Sequence, residues 1–221
     1  MRALLTISVV VSSAYLCLLL THHAAGPLSI ALKVASTGLL VVVAAMAHHR
    51  HKLLILALVF SVNGDLLLEL RRFGQLGPEQ VFLLGLVAFL IAHIFYIALF
   101  VRAKSAGRIT IARQIAIVIA LMVAVTTMMT LWPGLAEMRL PVLVYSLVLV
   151  TMVVSAQYSS FTPRVAIGAL LFFASDTMLA INIFGYPFSG ARTLVWITYY
   201  LAQLLITLGV TSSQRSVATT A

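Results

Sequence analysis

Residues 60–70 read FSVNGDLLLEL, and they set Asp65 and, one helical turn on, Glu69 inside the apolar run 52–70. That run is long enough to cross a bilayer as a helix at about 1.5 Å per residue. A carboxylate near the middle of such a helix costs roughly 2.5–3.5 kcal/mol on insertion scales. The chain has only five acidic residues in 221, so placing one at that depth calls for a chemical reason.

Outward from this stretch the composition agrees with a membrane protein. The chain is 62% hydrophobic and 9% charged, with a mean hydropathy of +1.13; soluble domains carry about a quarter charged residues. Eight apolar segments, roughly 3–21, 28–47, 52–70, 80–101, 114–131, 140–157, 164–183 and 192–211, predict an all-α polytopic protein in which residues 1–221 form a single transmembrane bundle. The breaks between them carry turn formers and charge: Gly26-Pro27, the HHRHK cluster at 48–52, Gly77-Pro78, RAKSAGR at 102–108, Trp132-Pro133-Gly134, Thr162-Pro163 and Gly185-Tyr186-Pro187. Met1-Arg2 and the apolar run behind them resemble a signal peptide, but the run is about 18 residues long and THHAAG after it lacks a small-residue cleavage pattern. It is read as the first membrane helix. The single cysteine, Cys17, excludes an internal disulfide or a cysteine-based metal site.

The net charge of +9 is not a nucleic-acid signal, because the basic residues fall in the short connections. With eight spans both termini share one side. That side collects Arg2, Arg50, Lys52, Arg102, Lys104, Arg108, Arg113, Arg164 and Arg215, against Arg71, Arg72, Arg139 and Arg192 on the other. The positive-inside rule therefore predicts cytoplasmic termini and a multi-pass protein, of the inner membrane if the source is bacterial. Membrane lipids are the expected surroundings, with no nucleic acid and no obligate protein partner.

The ionisable residues within the spans are Lys33, Asp65, Glu69, His93 and Asp176. Asp65 and Asp176 fall at similar depth in the third and seventh segments, and short aspartate side chains cannot reach out to the interface. This predicts a shared site rather than structural pairing. Lys33 can reach down towards the same level. Glu69 next to Arg71 and Arg72 is read as an interfacial charge cluster. The eighth segment carries Trp196, Tyr200, Gln203 and Thr207 on one helical stripe, and the fourth carries Phe82, Gly85, Phe89, His93 and Tyr96 on another. A weak internal repeat relates Gly64-Asp65-Leu66-Leu67-Leu68 to Ser175-Asp176-Thr177-Met178-Leu179, 111 residues later.

Two carboxylates close together in a low-dielectric cavity do not both ionise easily, so one is expected to keep its proton while the other stays charged. Such a pair suits protonation of one atom and activation of water at its neighbour. The sequence has no serine elbow, H-E-x-x-H or Cys-His nucleophile pattern. His22-His23 lie on the opposite side from His48, His49 and His51, so no metal site and no cofactor are expected.

Five pieces, in order, resemble the lysoplasmalogenase (YhhN-like) family of integral membrane hydrolases. They are Lys33; Gly64-Asp65 with Leu67; FLLGLVAFLIAHIFY at 82–96; Gly168-Ala169 leading to FFASDTMLA at 172–180; and TYYLAQLLITLG at 198–209. The resemblance implies an eight-helix bundle that hydrolyses the vinyl ether bond of a lysoplasmalogen or related lyso-ether lipid. Products would be a fatty aldehyde and glycerophosphoethanolamine or glycerophosphocholine. Asp65 and Asp176 would be the acid and base, and Lys33, His93, Tyr200 and Gln203 would bind or position substrate and water. The main rival is a proton-coupled transporter, which also buries Asp, Lys and His but places them at broken helices. A non-catalytic protein whose aspartates only bind Lys33 and neighbouring hydroxyls is the third reading.

Overall fold

The computed structural model describes residues 1–21, 23, 24, 26–47, 51–70, 78–105 and 107–212. Among them run eight long helices: α1 (Arg2–Leu20), α2 (Pro27–Ala45), α3 (Lys52–Leu70), α4 (Pro78–Arg102), α5 (Ile111–Leu131), α6 (Arg139–Tyr158), α7 (Pro163–Phe184) and α8 (Ala191–Ser212). All eight are long and apolar enough to span a membrane, and no strand occurs among the described residues. The protein is thus a multi-pass, all-helical membrane protein. The predicted segments match the helices to within about three residues at each end.

Prolines 27, 78 and 163 open α2, α4 and α7, where the missing N–H would lack a helical partner in any case. Gly26 precedes Pro27 at φ 98°, a left-handed conformation that only glycine takes without strain. Between α5 and α6 the chain makes two 3₁₀ turns, Trp132–Gly134 and Ala136–Met138. Arg139 donates from Nε to the Trp132 carbonyl at 3.2 Å and lies over the indole.

The helices form two compact units, Met1–Tyr96 and Ile97–Ala221, with the division inside α4. In the first, Phe60 of α3 stacks on Phe95 of α4 with ring centroids 5.6 Å apart, and Ser8 of α1 donates to the Ser36 carbonyl of α2 at 2.7 Å. The predicted stripe on α4 is buried at Phe82, Gly85, Phe89, His93 and Tyr96. In the second, Arg113 of α5 caps the end of α6 through the carbonyls of Gln157 and Ser159, and the predicted α8 stripe of Trp196, Tyr200, Gln203 and Thr207 is buried. On α5 the opposite pattern holds: Ile111, Ile115, Val118, Met122, Val125 and Met129 are exposed at helical spacing. An apolar face of that kind suits lipid.

Between membrane helices apolar burial gives little drive, and close backbone approach through small residues takes its place. Gly168 of α7 is such a point. A Cβ there would lie 2.8 Å from Ile206 Cγ1 and 3.0 Å from the Ala202 carbonyl oxygen of α8. Because the second of these is backbone, it cannot swing aside. Gly168→Val is expected to cost about 1–3 kcal/mol, the range for overpacking a tight contact. In a thermal-shift assay in detergent this should appear as a melting temperature several degrees below wild type.

Candidate active site

Three ionisable side chains meet within the first unit. Lys33 lies on α2, and Asp65 and Glu69 lie one turn apart on the facing side of α3. The Lys33 ammonium is 3.2 Å from Glu69 Oε1 and 3.5 Å from Asp65 Oδ1. Thr37, one turn after Lys33 on α2, donates its hydroxyl to Asp65 Oδ2 at 3.1 Å. Tyr15 of α1 donates to Glu69 Oε1 at 3.2 Å. Asp65 and Glu69 are 2% and 4% exposed, so these contacts replace the water that an ion of either sign would otherwise keep. Oδ2 of Asp65 takes the Thr37 hydrogen while Oδ1 faces the Lys33 ammonium, so each carboxylate oxygen has a partner. One ammonium thus serves two carboxylates.

The packing around Asp65 is equally close. Gly64 precedes it, and a Cβ at that position would fall 2.5 Å from the Phe89 ring of α4. One turn on, His93 is buried and its Nδ1 lies 2.6 Å from the Phe89 carbonyl. A carbonyl only accepts, so Nδ1 carries the proton, and in the neutral ring Nε2 is the acceptor.

Asp176 lies in the second unit on α7, half-buried. Tyr145 of α6 donates its phenol hydrogen to Asp176 Oδ2 at 2.5 Å. Its neighbour Ser175 is buried and donates to the Val195 carbonyl of α8 at 3.1 Å. Along α8, Trp196 stacks on Tyr200 at 5.7 Å, and Tyr199 meets the Phe172 ring of α7 edge-on at 5.4 Å. Tyr200 and Gln203 are buried on the same face. A carboxylate that takes a hydrogen bond from a phenol is equipped to hold or release a proton.

The structure revises one reading and adds residues that the sequence reading passed over. Glu69 is not an interfacial charge: it is buried and takes the nearer share of Lys33. Arg71 and Arg72, with which it was grouped, lie outside the described residues, as do His22, His48, His49, Arg50, Gly77 and Arg215. Thr37 and Tyr15 on the Lys33 cluster, and Tyr145 on Asp176, were not singled out. Thr37 had a signal, the one-turn spacing from Lys33. Tyr15 and Tyr145 had none, since each arrives from a separate helix. Helices α3 and α7 run unbroken through Asp65 and Asp176, unlike the discontinuous helices that the transporter reading called for.

The YhhN family model matches residues 28–210. The chain is similar to a lysoplasmalogenase of Mycobacterium tuberculosis (strain CDC 1551 / Oshkosh), 35% identical over 187 residues that cover 79% of this chain and 67% of that one. It is similar also to the lysoplasmalogenase TMEM86B of Sus scrofa, 34% identical over 159 residues covering 72% and 63% of the two chains. The lysoplasmalogenase TMEM86A of Homo sapiens is 27% identical over 189 residues, 78% and 70%. The aligned part thus spans about two thirds of these relatives' length. No solved structure matches. The matched region runs from α2 to α8 and takes in both carboxylate sites, and on that extent the chain belongs to the YhhN family.

Proposed function

We propose that this chain is a lysoplasmalogenase, an intramembrane hydrolase that cleaves the vinyl ether bond of a lysoplasmalogen. The observation that carries the reading is a mid-helix carboxylate, Asp65, buried and held through both oxygens by Lys33 and Thr37, in a chain 35% identical to a lysoplasmalogenase over most of its length. A buried ionisable group in a membrane helix is expensive, and function is the usual reason for keeping it.

The chemistry needs one proton donor, one anion and one water. The donor protonates the vinyl carbon distal to the ether oxygen, and the double-bond electrons form the new C–H bond. The carbon attached to oxygen becomes an oxocarbenium ion. Water adds to that carbon and loses a proton to the anion, giving a hemiacetal. Collapse of the hemiacetal releases a fatty aldehyde and leaves a hydroxyl on glycerophosphoethanolamine or glycerophosphocholine. The logic parallels the carboxylate pairs of glycosidases, which also pass through an oxocarbenium-like state. Asp65 and Asp176 are the two carboxylates in this reading. Lys33 acts on Asp65, since its ammonium is already engaged there, while Tyr200 and Gln203 position the lipid or water and His93 supports the Asp65 side. No step calls for a cofactor.

The distribution of basic residues supports cytoplasmic N- and C-termini. A fluorescent or phosphatase reporter fused to the C-terminus should behave as a cytoplasmic reporter; a reporter active only outside the membrane would reverse the orientation.

Aldehyde release from lysoplasmalogen by the purified protein tests the function. Wild type should release aldehyde without added metal. Asp65→Asn and Asp176→Asn should each lower the rate at least about 100-fold, the scale of a lost general acid or base, while still melting cooperatively. Folded variants that keep their activity would make the aspartates structural and the mechanism wrong.

A further inference from the structure

We infer that Glu69 is a positioning residue for this reaction, acting on Asp65 through Lys33. The inference rests on the hydrolase reading above but concerns a residue to which that reading gives no part. Three observations carry it, all within the first unit. The Lys33 ammonium is nearer to Glu69 Oε1, at 3.2 Å, than to Asp65 Oδ1, at 3.5 Å. Tyr15 donates to the same Glu69 oxygen at 3.2 Å, from a third helix. Glu69 is itself 4% exposed, so its charge is not dissipated into solvent.

The consequence follows from Coulomb's law at short range in a poorly screened interior. A lysine facing Asp65 alone would form a closed ion pair. The aspartate's charge would be spent on the ammonium, and it would be a poor base for water and a weak stabiliser of a nearby cation. Glu69 competes for that ammonium from one turn away on the same helix. It draws Lys33 off Asp65 and so weakens the lysine's field there. Asp65 is thereby kept anionic yet available. Tyr15 fixes the Glu69 carboxylate and so fixes where the lysine divides itself. Thr37 holds the other Asp65 oxygen and sets the direction of the group.

The test is steady-state aldehyde release by the full chain in detergent, for Glu69→Gln, Tyr15→Phe, Lys33→Met and the double variant Lys33→Met/Glu69→Gln. Glu69→Gln keeps the shape and the acceptor but removes the charge. Its kcat should fall about 10- to 100-fold with KM within about twofold, because substrate binding is untouched and only the reacting state is weakened. Tyr15→Phe should lose less, in the same parameter. In the double variant, removal of Glu69's charge should add no loss to that of Lys33→Met, since Glu69 acts only through the lysine. The inference is overturned if Glu69→Gln keeps wild-type kcat, if its loss appears in KM, or if the two losses multiply. Should Glu69→Gln fail to fold, Tyr15→Phe carries the same kcat-against-KM comparison, and a wild-type kcat there overturns the inference. Absence of aldehyde release by wild type would instead remove the hydrolase reading, and the inference with it. Release by wild type with an unaffected Glu69→Gln removes the inference alone.

Discussion

One ammonium shared by two buried carboxylates is the constraint on which the first half of this protein depends. An isolated charge in a membrane helix is costly, and a pair offsets that cost only when its geometry is good and the remaining lone pairs are met. Here Lys33 reaches from α2 to α3, Thr37 meets the second Asp65 oxygen, and Tyr15 brings α1 to Glu69. Three helices are thus fixed to one another by a polar cluster in which each partner needs the others. Losing one member of a buried pair typically costs about 3–5 kcal/mol, because the survivor keeps its charge without its counterion.

The second half holds its carboxylate differently. Asp176 takes a phenol hydrogen from Tyr145, and in the same unit the rings of α7 and α8 pack on one another. Packing and chemistry are joined at the small residues of both halves. Gly64, next to Asp65, leaves room for the Phe89 ring, and Phe89 in turn offers its carbonyl to His93. Gly168, two turns before Asp176, lets α7 and α8 touch backbone to side chain. Each glycine lies on the same helix as an aspartate, so the close approach of helices that small residues permit in membranes also positions the acidic groups.

Such an arrangement suits a reaction whose substrate is itself a lipid. In the proposed reading a carboxylic acid gives the proton to carbon, and a carboxylate takes one from the water that adds to the adjacent carbon. Glu69 adds a further layer in our reading. A catalytic anion must be kept ionised without being neutralised by the cation that keeps it so, and a second carboxylate on the same lysine meets both demands.

By itself the sequence determined the eight helices. Apolar runs bounded by proline, glycine and charge leave no other way to satisfy backbone N–H and C=O groups in lipid, so the spans were legible to within a few residues. It also marked Asp65 and Asp176, because a short acidic side chain deep in such a run stands out against a chain with five acidic residues. The buried stripes on α4 and α8 followed from helical spacing. Which side chains face one another came from the packing of the helices alone. Glu69 sits beside two arginines in sequence and reads as surface charge, yet the rotation of α3 turns it onto Lys33. Tyr15 and Tyr145 reach their carboxylates from helices far away along the chain, 54 and 31 residues from their partners. Periodicity fixes which face of a helix a residue lies on, but it does not say which neighbour that face meets. Only the packing of helix against helix brings the donors to the acids.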